Sequence, residues 1–129
     1  MANPSKAKGT RAETRVASYL TTHGLPTSRR ALAGSSDEGD LRMTLPDGSE
    51  MTVEVKAGKQ TANYSRRQLE AWKRQTEVES FNAGCPGILV IARYRRSLFD
   101  AEVWIPTEEW GRAGWTMVYL DDYAEEIGG

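Results

Sequence analysis

The stretch DEGDLRMTLPDGSEMTVEVKAGK, Asp37 to Lys59, decides the fold. Asp40 to Leu45 alternates polar and apolar residues, and so does Met51 to Lys56, the period of a half-buried strand. Pro46-Asp47-Gly48 lies between them. Pro presets φ and Gly accepts φ above zero, so this is a turn. Residues 40–57 therefore read as a β-hairpin. Within the second strand Val53 and Val55 share one face, and Thr52, Glu54 and Lys56 share the other. Pairing symmetric about Asp47 sets Asp40 across from Glu54 or Lys56. Three charged groups then converge at the open end of one hairpin. A carboxylate and an ammonium on a covered sheet face are costly unless they are paired or bind a metal.

Outward from the hairpin, the chain alternates helices and strands. The first nine residues read as a flexible basic arm, and residues 10–129 as one domain. Thr10 and Glu13 stand at capping-box spacing. Val16, Ala17 and Leu20 follow as a helical apolar stripe, closed by His23-Gly24. Thr27 to Ala33 is extended. Ser65 to Phe81 is a helix with Leu69, Trp72 and Val78 on its apolar side, closed by Asn82-Ala83-Gly84. Gly87 to Ala92 is a continuous apolar run, the mark of a strand buried on both faces. Ala101 to Pro106 is another strand. Thr107 to Trp110 opens a short helical turn, Trp115 to Leu120 is a last strand, and an acidic helix or tail begins at Asp121. This is an α/β order, a central mixed β-sheet flanked by α-helices.

The chain has 129 residues, 39% hydrophobic and 27% charged, enough apolar material for one core. No apolar run approaches the roughly 20 residues of a membrane span, so no membrane partner is expected. The polar start shows no signal peptide. One cysteine, Cys85, forms no internal disulfide, and a cytoplasmic setting follows. The net charge of −1 hides an asymmetry. Residues 1–75 hold 13 Lys and Arg against 8 Asp and Glu, and residues 76–129 hold 4 against 10. The first part has a positive bias suited to phosphates, which also reads as ordinary solvated charge.

Asp40 and Glu54 beside open space suit Mg²⁺, which prefers oxygen ligands and keeps several waters. Lys56 is placed to steady a developing negative charge. The competing reading of these residues is a solvent-facing cross-strand salt bridge, worth little. The single histidine, His23, sits at a helix end and offers no His-dependent chemistry.

Asp40 followed by Glu54-Val55-Lys56 resembles the PD-(D/E)xK signature of restriction-endonuclease-like nucleases, with Gly39 in place of the proline. Glu13 matches the first-helix Glu of that family, and the order of elements is similar over roughly residues 8–105. The flavour is similar to that of the Holliday junction resolvases of archaea and bacterial viruses. They share a basic start and an Arg-containing segment, here Ser28 to Gly34, leading to the Asp. The resemblance implies a restriction-endonuclease-like fold and hydrolysis of DNA phosphodiesters with Mg²⁺, Mn²⁺ substituting. It implies Asp40, Glu54, the Val55 carbonyl and Glu13 as metal ligands, Lys56 as a catalytic group and Gln68 beside the site. Lys6, Lys8, Arg11, Arg29 and Arg30 are its implied phosphate contacts, with Arg66, Arg67, Lys73 and Arg74 as a second set that also reads as a solvated helix face. A four-way junction is the implied substrate. DNA ends, flaps or nicks are the alternative for the same fold, and an inactive DNA-binding module is a further one. A near-twofold junction calls for a homodimer, whose expected face is the late aromatic segment with Trp104, Trp110, Trp115 and Tyr119.

Overall fold

The structure, a computed structural model, describes residues 4–30 and 40–128, with side chains from Arg11 onward. Readings that fall on residues 31–39, among them the end of the Arg-containing segment and Gly39, lie outside the described residues.

Among the described residues six strands form one mixed sheet in sequence order. They are β1 (Thr27–Arg29), β2 (Leu41–Thr44), β3 (Glu50–Lys56), β4 (Gly87–Ile91), β5 (Glu102–Glu109) and β6 (Arg112–Tyr119). Among the described strands only β3 and β4 run parallel, joined by the crossover helix α2 (Arg66–Ala83). The other neighbours are antiparallel. The hairpin register is the expected one: Leu41 faces Val53 and Met43 faces Met51.

The two faces of the sheet differ. Val53, Val55, Ile88, Val90 and Val103 join the main core with Val16, Ala17 and Leu20 of α1 (Pro4–Thr22) and Leu120, Tyr123 and Ala124 of α3 (Leu120–Gly128). The helical stripe read around Val16 is therefore the buried one. The opposite face carries a smaller core of Leu69, Trp72, Leu89 and Ile91 beneath α2. β4 is buried throughout because it is covered on both sides. Among the described residues no helix is long and apolar enough to cross a membrane.

Several boundaries differ from the sequence reading. Helix α1 begins at Pro4, so Thr10 lies inside it and not at its start, and residues 4–9 are helical. Pro suits a first turn, where its missing N–H has no partner to lose. Val78, expected on the apolar side of α2, is 56% exposed. Thr76 and Glu79 are buried instead, continuing the spacing set by Leu69 and Trp72. Thr107 to Trp110 is not a helical turn. β5 runs on to Glu109, and Trp110-Gly111 makes a two-residue turn with φ 55 and 75. Two successive positive φ values give the reversed turn that matches strand twist. Pro106 sits past the last β4–β5 pair, where its missing N–H is tolerated.

Candidate active site

The site lies where β2 ends and β3 continues. Leu41–Val53 is the last pair of that ladder, and Asp40 stands just before it, across from Glu54. Beyond this point the β2 side of β3 has no backbone partner among the described residues. The Asp40 side chain supplies one: its Oδ2 accepts the Val55 N–H at 3.0 Å. Thr52 and Lys56 bond to the β4 side through Pro86 and Ala92, so alternation directs the Val55 backbone to the Asp40 side. The Val55 carbonyl thus belongs to the same edge as the Asp40 carboxylate.

Glu54 is 3% exposed on the face beneath α2. Lys56 Nζ lies 3.8 Å from Glu54 Oε1 and donates to Gln75 Oε1 at 2.8 Å. Gln75 Nε2 donates to Glu79 Oε1 at 3.0 Å and, at 3.4 Å, to Glu54 Oε2. One amide therefore ties the motif lysine and two buried carboxylates together. Burial raises the Glu54 carboxyl far above its ordinary range, and neighbouring Glu79 and Asp40 add to the rise. Burial and Asp40 also raise Glu13, against the pull of Arg29, whose Nε donates to Glu13 Oε2 at 3.0 Å. Glu13, Asp40, Glu54 and Glu79 thus form one electrostatically connected line of carboxyls.

This arrangement fits a divalent cation. Among the described residues no group of three or more His, Cys, Asp or Glu side chains stands ready to hold an ion by itself. The available donors are two carboxylates, Asp40 and Glu54, and the Val55 carbonyl, with water left to complete the shell. Mg²⁺ takes one or two carboxylates and keeps several waters. Crowded carboxyls whose negative form is disfavoured are relieved by a cation.

The expected residues do not all gather here. Gln68 is exposed in the first turn of α2, its backbone N–H capped by Ser65. Its place is taken by Gln75, two turns along the same helix. Sequence reasoning misses both Gln75 and Glu79. The signal for them is a buried stripe that turns polar opposite Glu54. Arg29 is paired with Glu13. The Arg30 N–H bonds the Asp40 carbonyl at 3.0 Å. Arg11, Arg66 and Arg67 are exposed. Lys6 and Lys8 lie on the first turns of α1, and their side chains are outside the described residues.

A second polar cluster lies across the same sheet face. The buried Glu102 accepts from Tyr64 Oη, from Trp104 Nε1 at 3.1 Å and from Arg93 Nη1 at 2.8 Å. Arg93 also donates to the Ala62 carbonyl at 2.9 Å. The cluster ties the loop after Lys56 to β5 and holds structure.

No protein-family model matches the sequence, and no curated protein does. Among solved structures, the chain is similar to Hjc, a Holliday junction resolvase from the archaeal hyperthermophile Archaeoglobus fulgidus. The likeness has a TM-score of 0.56 at 16% identity and covers 91% of this chain and 95% of that one. It shows the fold: this chain has the restriction-endonuclease-like α/β architecture of that resolvase.

Proposed function

We propose that this protein is a metal-dependent endonuclease that cuts DNA at four-way junctions. The observation that carries the reading is the meeting of Asp40, Glu54 and Lys56 at the end of β3 that β2 leaves unpaired. They come together through a register that the hairpin fixes, on a fold shared with a resolvase. A divalent ion held by Asp40, Glu54 and the Val55 carbonyl would supply an activated water and neutralise phosphate charge. Glu13 orients solvent on the Asp40 side. Lys56, held by Gln75 with its ammonium 3.8 Å from Glu54, would stabilise the negative charge that builds on the phosphate. Gln75 positions Lys56 and Glu54 and does not itself touch the reacting atoms.

A homodimer belongs to this reading, since paired cuts in opposed strands need two sites related by a twofold axis. Two exposed apolar features support it. Trp110 is 98% exposed at the tip of the β5–β6 hairpin, and Tyr119 is 47% exposed. Phe81 is 85% exposed beside Val78 on α2, bordering a cavity of about 370 Å³ with Met51, Ile105 and Pro106. Trp104 and Trp115 are partly covered, with the Lys73 ammonium 4.7 and 5.7 Å from their rings.

The test is a substrate panel with Mg²⁺: four-way junction, linear duplex, flap and nicked DNA of matched sequence. Cleavage of the junction well ahead of the others supports the reading. Preference for flaps, nicks or ends makes the chain a nuclease of another kind. Binding without cleavage of any substrate makes it an inactive DNA-binding module.

A further inference from the structure

We propose that the cleft between α1 and the turn after β4 is a second phosphate site. It would take the DNA backbone about two nucleotides from the scissile phosphate. The proposal rests on the nuclease reading above. The cleft has a volume of about 420 Å³ and is lined by Arg11, Arg15, Arg93, Arg95 and Arg96, with Ala57 and Gly58 also in its wall. Among the described residues no acidic side chain lines it. Arg93 is neutralised by Glu102 at 2.8 Å. The other four guanidiniums have no ion pair among the described residues. Four cations with no ion pair among the described residues repel one another around one cavity, and an anion relieves that repulsion.

Three further features point to a phosphodiester. Arg11 and Arg15 are one helical turn apart, so both project from the same face of α1. Arg95 occupies φ 59, a left-handed position that Asn or Gly fills more easily. The turn keeps an arginine there despite the strain, with its guanidinium over Tyr94, 5.2 Å from the ring centre. Ala57 and Gly58 line the cleft and follow Lys56 directly, so the Gly58 Cα lies within about 7.6 Å of the Lys56 Cα. Nucleotides rise about 3.4 Å each along a strand, so a strand lying on Lys56 reaches the cleft within about two or three of them.

The experiment measures binding to a junction and to linear duplex in Ca²⁺ across a range of salt. Arg15→Ala, Arg95→Ala and Arg96→Ala should each lower the slope of log affinity against log salt by about 0.9 for every phosphate that the arginine neutralises on duplex DNA. A methylphosphonate placed two nucleotides from the cut should weaken the wild type similarly and add nothing in the triple variant. Arg95→Asn should melt higher than wild type, through relief of strain, and yet bind more weakly. An unchanged slope in the triple variant overturns the site, and so does additive weakening with the methylphosphonate. Equal affinity for junction and duplex with the slope still lowered would sink junction preference and leave the cleft standing. Junction cutting with unchanged slopes would do the reverse.

Discussion

Glu54 is buried beside two other carboxyls, and burial together with their charge makes the folded protein favour its protonated form. A carboxyl raised by folding favours the folded state at low pH, below its ordinary 4.5, and that contribution is lost as pH rises through the folded value. Without divalent ions, Glu54→Gln should therefore melt above wild type, and the gap should widen from acidic to alkaline pH. Thermal melts in a chelator check this; a gap that stays flat or narrows contradicts it. Gln75 leads to a second test. Gln75→Ala loosens Lys56 and should lower cleavage by at least about tenfold, near 1.4 kcal/mol, while Gln68→Ala should stay within about twofold. Single-turnover rates on junction DNA decide between them. Asp40, Glu54 and Lys56 are legible in the sequence because strand alternation and turn symmetry fix their meeting. Gln75 is not, because choosing between two glutamines on one helix requires knowing where the helix lies along β3.

At the scale of elements, the hairpin, the crossover helix and the buried β4 are legible, since turn chemistry and apolar period agree there. The β5–β6 hairpin escapes a sequence reading for a physical reason. Trp-Gly is a poor signal for a reversed turn, whose first position usually holds Asn, Asp or Gly. Thr-Glu-Glu also resembles a helix start. On α2 the apolar character of Val78 competes with the helical spacing, and the spacing wins because Leu69 and Trp72 anchor the buried stripe, which continues through Thr76 and Glu79 and leaves Val78 outside it. The turn gives a direct test. Trp110→Asn replaces a strained residue with one that accepts positive φ, and it should stabilise the monomer by about 1 kcal/mol. Chemical denaturation at dilute protein measures it, and a fall in stability would mean that the tip packs against something in the monomer.

For the whole molecule, the proposed junction substrate has near-twofold symmetry, and with one site per chain the proposal calls for two chains. Sedimentation should find a species near twice the 14.3 kDa chain mass at micromolar concentration. Phe81→Glu and Trp110→Asp locate its face: the variant that returns the protein to monomer marks the interface, and a wild-type monomer at all concentrations refutes the assembly. Which apolar residues stay exposed is not legible in the sequence, because exposure depends on how far α2 covers the sheet. The central claim, that Asp40, Glu54 and Lys56 form a metal-dependent nuclease centre, is tested most directly by single-turnover cleavage of a four-way junction by Glu54→Gln with Mg²⁺, beside its junction affinity in Ca²⁺. The account predicts a rate lower by about a thousandfold or more, some 4 kcal/mol of transition-state stabilisation, with affinity within a few fold of wild type. Near-native cleavage by Glu54→Gln would contradict it.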